Sequence, residues 1–135
     1  MAEKPPGPAI VPILQYHDAK AAIDWLAAAF GFVPGMVVDD DTGGIAHAQI
    51  GHDTGVIMLS TCRDGDYGLR TPKESRVTTQ SVYVVVSDPD ALFERAVKAG
   101  AEVVRGLEDQ DYGSRDFTVR DPEGHMWHFG TYRPA

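Results

Sequence analysis

Five histidines, one cysteine and a run of three aspartates are the residues whose types and spacing could do chemistry. By eye His125 and His128 look like a metal pair. On a strand, residues three apart project to opposite faces, so these two cannot hold one ion as neighbours. His128 alone is a candidate general base or ligand contact, because an unperturbed imidazole titrates near pH 6.5. The competing reading is a hydrogen-bonded histidine in the wall of a cleft. Asp39-Asp40-Asp41 opens like a calcium loop, but the twelfth position holds Ile50 where a bidentate Glu is needed. The run therefore reads as a solvated turn. Cys62 has no second cysteine, which excludes an intramolecular disulfide and a Cys-rich zinc site. Nothing beside it identifies an activating base. There is no nucleophile elbow, P-loop or dinucleotide fingerprint, and Gly31-Phe32-Val33-Pro34-Gly35 is a helix exit.

The bulk numbers narrow the setting for these side chains. The chain has 135 residues, enough for one domain or two small coupled modules. Apolar residues make up 43% and charged residues 24%, a composition that folds. Twelve Lys and Arg against twenty Asp and Glu leave a net charge of −8, which argues against a nucleic-acid partner and against anionic membrane. The residues after Met1 contain no apolar leader-like stretch. The uncharged run from Trp25 to Val38 is broken by Gly31, Pro34 and Gly35 and is too short to span a bilayer. A cytoplasmic protein is the expectation.

A repeat organises the positioning elements. Ile10–Tyr16 reads as a strand, with Pro12 marking an edge or a bulge. Asp18 then caps a helix whose stripe is Ile23, Leu26, Ala27 and Phe30, and Gly31 ends it. Ser81–Val86 is followed in the same way by Asp88 as cap, Pro89 at the first helical position, and Phe93, Ala96, Val97 and Gly100 in the same spacing. Asp88 lies seventy residues after Asp18, about half the chain, which indicates an internal duplication. Three strands follow each helix: 32–38, 44–50 and 56–61 in the first half, and 102–107, 114–120 and 125–132 in the second. Asp121-Pro122-Glu123-Gly124 has the residue preferences of a type I turn. The predicted fold is α+β: two tandem βαβββ modules with curved mixed sheets, one helix covering each, forming a cleft. Module one spans about 9–61 and module two about 80–133. The charged segment 62–79 between them is a linker or a lid.

This duplication, the helix entry Tyr16-His17-Asp18-Ala19-Lys20, and the stretch from Tyr112 through Asp121-Pro122-Glu123-Gly124 to Phe129 resemble the vicinal oxygen chelate superfamily. That group holds glyoxalases, bleomycin-resistance proteins and extradiol dioxygenases. The resemblance implies either a divalent metal acting as Lewis acid or a metal-free binder, often a dimer. Its metal positions, carried over by counting from the two caps and the turn, fall at Val11, Met58, Val82 and His128. Only His128 could bind a borderline metal. Nearby donors are Gln15, His17, His47 and Gln80, with His47 and Gln49 on one strand face. The alternative metal set is Gln15, His47 and His128.

Trp127 and Phe129 lie opposite His128 and are assigned to core. The expected ligand cleft is lined by Val11, Ile13, Gln15, Met58, Ser60, Val82, Val84, Met126 and His128, apolar with a few polar groups. Thr118, Arg120 and, for an anionic ligand group, Arg115 are further candidates. The expected function is small-molecule binding without a cofactor, by sequestration, as a homodimer. The alternative is a metal-dependent lyase, isomerase or dioxygenase with a divalent metal. A sheet-based interaction module is the third reading.

Overall fold

Capping residues fix both principal helices where the apolar stripes place them. In the computed structural model, which describes residues 7–63 and 67–135, β1 (Ile13–Tyr16) leads through Asp18 into α1 (Ala19–Phe30). The Asp18 carboxylate accepts from the Ala21 N–H at 3.1 Å, and Gly31 leaves the helix at φ 73°, a left-handed conformation that costs glycine nothing. Three strands follow: β2 (Val33–Asp39), β3 (Ile45–His52) and β4 (Gly55–Thr61). A short α2 (Pro72–Ser75) then precedes the second copy of the pattern. That copy is β5 (Ser81–Val85), α3 (Pro89–Lys98), β6 (Glu102–Asp109), β7 (Arg115–Arg120) and β8 (Met126–Gly130). Residues 1–6 and 64–66, including Asp64 and Asp66 of the connector, lie outside the described residues.

The two sheets repeat one topology, β1-β4-β3-β2 and β5-β8-β7-β6. In each, the first strand pairs parallel with the last and the other pairs are antiparallel, so both sheets are mixed. The α+β fold of two tandem βαβββ modules is therefore present. Two details differ from the sequence reading. β1 begins at Ile13 rather than Ile10, because Pro12 has no N–H to donate, although its carbonyl still accepts from Met58. The connector also contains a helical turn, α2, capped by the Thr71 hydroxyl and opened by Pro72. Among the described residues no helix is long and apolar enough to cross a membrane.

One core serves both modules. Trp127, Phe129, Phe117 and Val119 are fully buried, as are Leu26 and Leu59. Phe30 of α1 lies 4.6 Å from Phe129 and 5.5 Å from Trp127, ring centre to ring centre, and Phe32 lies 5.5 Å from Trp127. The helices meet through Trp25, whose indole N–H donates to Ala99 O at 2.8 Å, and through Arg95, which donates to Ala27 O and Ala28 O. The helix-covered faces of both sheets thus share buried aromatic packing, and the opposite faces remain for binding.

Candidate ligand-binding site

Strand register decides which side chains share the face turned away from the helices. Ile13 pairs with Met58, Gln15 with Ser60 and Gln49 with Met58, so these five lie on one side of the first sheet. Leu14, Tyr16, Leu59 and Ala48 alternate to the core side. Val11 precedes β1 and is half-buried. Gln15 is 7% exposed although polar, and its Nε2 donates to Ser60 Oγ at 3.0 Å. Its Oε1 is buried without a partner. Gln15 and Ile13 form one wall of a cavity of about 280 Å³ whose other walls include Leu69 and Val77 of the connector, Gln80 and His125.

On the second sheet the register corrects part of the expected cleft. Val82 pairs with Trp127 and Val84 with Phe129, which puts both valines on the core side. Ser81 and Tyr83 instead share the face of Met126 and His128. The chain's own seventy-residue repeat carries this signal, since it maps Val11 onto Ser81 and Ile13 onto Tyr83. A count that lands one residue away exchanges the faces.

His128 is fully engaged: Nδ1 meets Thr118 Oγ1 at 2.7 Å and Nε2 meets Ser81 Oγ at 2.9 Å. Burial lowers its pKa, Arg105 lowers it further, and Asp116 opposes them. Asp116 is itself buried and accepts from Arg105 at 2.8 Å and Gln110 at 3.1 Å. Arg120 donates to Thr78 and to Gly124 O, and Arg115 is held by Asp90 and Asp109. Arg115 is thus paired with two carboxylates within the chain, whereas the contacts of Arg120 are with neutral oxygens.

The residues do not fit a chelated metal within one chain. The four matched positions, with the register corrected, are Val11, Met58, Ser81 and His128, and the imidazole nitrogens of His128 are both hydrogen-bonded. Gln15, His47 and His128 are not brought together. Gln15 bonds Ser60, His47 meets Gln49 at 3.2 Å, and His128 sits on the other sheet. Among the described residues no group of three or more His, Cys, Asp or Glu side chains is placed to hold a metal ion. His17 pairs with Glu74 at 2.7 Å, and His125 donates through Nε2 to Gln15 O at 2.7 Å. Asp40 closes the β2–β3 turn by accepting from Thr42 and Gly44 N–H groups. These bonds, with help from Arg63, lower its pKa to about 2.

Residues 10–129 match the model of the glyoxalase/bleomycin resistance protein/dioxygenase superfamily. The chain belongs to this superfamily. The chain is 38% identical over 125 residues to an uncharacterised protein of Mycobacterium tuberculosis, covering 91% of this chain and 74% of that one. Among solved structures it is similar to TioX from Micromonospora sp. ML1, with 33% identity, a TM-score of 0.74, and coverage of 94% of this chain and 100% of that one. The fold also matches the fosfomycin resistance protein FosX from Mesorhizobium loti, at 14% identity and a TM-score of 0.67 over 98% of this chain and 94% of that one.

The stretch most like the superfamily has a structural role here that its sequence did not reveal. Asp121 is buried and accepts four hydrogen bonds: Tyr16 Oη at 2.6 Å, Trp127 Nε1 at 3.0 Å, and the N–H groups of Glu123 and His125. The Glu123 carboxylate accepts from the N–H groups of His17 and Asp18 at the entry to α1. The Asp121-Pro122-Glu123-Gly124 turn of module two thereby clamps the strand-to-helix corner of module one.

Proposed function

We propose that this superfamily member binds a small organic molecule without a metal and holds it rather than transforming it. The observation that supports this is the makeup of the outer face of the first sheet. Ile13 and Met58 supply an apolar surface beside the amides of Gln15 and Gln49 and the hydroxyl of Ser60. Chelation would need donors at Val11 and Met58, where this chain has an alkyl group and a thioether. Small-molecule sites are built in the same way, apolar with a few placed polar groups. The proposal includes a homodimer and no nucleic-acid or membrane partner. All seven residues of β2 are exposed, Val33, Met36, Val37 and Val38 among them, and a second copy is the occupant proposed for that edge.

The test is a compound library screened by thermal unfolding, with hits repeated in EDTA. A ligand that binds only the folded state at one hundred times its Kd stabilises by about 2.7 kcal/mol. The expected hits keep their full effect in chelator. Hits that vanish in EDTA, or turn over to product, contradict the proposal. Light scattering during gel filtration should return twice the chain mass, and a monomer at high concentration refutes the dimer.

A further inference from the structure

Gln15, which lines the cavity between β1 and the connector, carries a buried polar atom that the fold itself does not satisfy. Gln15 is held in place from three sides. Its strand pairs with β4, its carbonyl accepts from His125 Nε2, and its Nε2 donates to Ser60 Oγ. The Gln15 carbonyl can only accept, so His125 Nε2 carries the proton in this contact. What remains is Oε1, buried and unpaired, the one such side-chain atom among the described residues. Buried polar atoms in folded proteins nearly always have a partner, and an exception calls for a ligand, a water or a function.

The cavity around Gln15 is mixed in character, with Arg70, Ser75, Thr79, Gln80 and His125 among its walls beside apolar side chains. Ile13 lies on the floor, and Leu69 and Val77 are contributed by the connector. The cavity is about 280 Å³, room for a small ring compound rather than for one water. Resting on the binding reading above, we propose that the connector roofs the binding site. The ligand class is a small molecule with an apolar ring and a polar N–H or O–H group, which donates to Gln15 Oε1. The preformed acceptor selects for the donor: a site built to hydrogen-bond a ligand group rejects the analogue lacking it, because the site's own polar atom is then left unpaired.

The experiment titrates the whole chain, followed by amide nitrogen–proton NMR spectra, with three probes of similar shape. Benzamide carries the donor, methyl benzoate only acceptors, and toluene neither. Saturable shifts should cluster on residues 13–15, 69–80 and 125, with benzamide at least tenfold tighter than the other two. Gln15→Met should remove that preference. Gln15→Glu keeps an acceptor, so it should retain benzamide and bind benzamidine more tightly than the wild type does. If Gln15→Met does not fold, Gln15→Glu carries the test alone. Equal affinity for benzamide and methyl benzoate overturns the inference, as does a preference that survives in Gln15→Met. Shifts confined to another part of the chain, or no binding at the solubility limit, also overturn it. If library compounds bind elsewhere, the binding reading stands and only this site assignment falls. If nothing binds the folded chain, both fall.

Discussion

Replacing Tyr16 by Phe deletes one oxygen and tests the clamp between the modules. Tyr16 is 1% exposed and Asp121 4%, and their 2.6 Å bond joins residues 105 apart in the chain. A hydrogen bond to a charged group contributes about 1.5–3 kcal/mol. The ring of Phe preserves the packing against His125, whose centre lies 4.7 Å away, so no cavity is added. Tyr16→Phe should therefore cost about 1.5–3 kcal/mol, or on the order of 5–10 °C in Tm for a domain of this size. Asp121→Asn leaves a neutral amide among four donors and should cost more, about 3–5 kcal/mol. The assay is urea unfolding at pH 7, where the midpoint falls and the slope is unchanged. A double-mutant cycle should show strong coupling, because Phe at position 16 has already lost the bond that Asn weakens. Burial raises the Tyr16 pKa well above its ordinary value, and the Asp121 charge adds to this. The stability from that shift is present below the ordinary tyrosine value near 10 and is lost as pH rises through the raised native value. Tyr16→Phe should accordingly resist alkali better, relative to its neutral-pH stability. A cost below about 0.5 kcal/mol, or additive single effects, would refute the reasoning.

Three further outcomes follow from the packing and charges. His128 has a lowered native pKa, caused first by burial, so its contribution is present above the ordinary value near 6.5 and is lost as pH falls below it. Tm should decline between pH 7 and 5 less steeply in His128→Gln than in the wild type. Gly31→Ala places a Cβ 2.9 Å from Arg95 Nη1 at φ 73°, and should cost about 1–2 kcal/mol in urea unfolding. Phe30→Ala removes the ring that touches both Trp127 and Phe129 and should cost about 3–5 kcal/mol in the same assay, a larger loss than Gly31→Ala.

The readable parts of the fold were those encoded locally. Asp18 and Asp88 announce their helices because a capping carboxylate acts within three residues. Trp127 and Phe129 fall in the core by alternation alone. Val82 and Val84 were misplaced because strand parity has period two, and a slip of one residue inverts the face. The seventy-residue repeat contained the correction. α2 is four residues long, too short for a periodic stripe, yet Thr71-Pro72-Lys73-Glu74 spells a cap, a first-turn proline and an acidic third position. Arg115 was unreadable for another reason: Asp90, which holds it, comes from a different element 25 residues earlier. The clamp at Asp121 was equally hidden, since its donor Tyr16 belongs to the other module. Local signals specify elements and faces, whereas long-range polar pairs emerge only once the modules are packed together.

The proposed ligand face works without a chelated metal. The most direct measurement is elemental analysis of the chain purified without chelator and then saturated with a screened ligand. The expected result is stoichiometric ligand and only trace transition metal. One equivalent of zinc, nickel, manganese or iron per chain, lost in His128→Ala together with ligand binding, would contradict it.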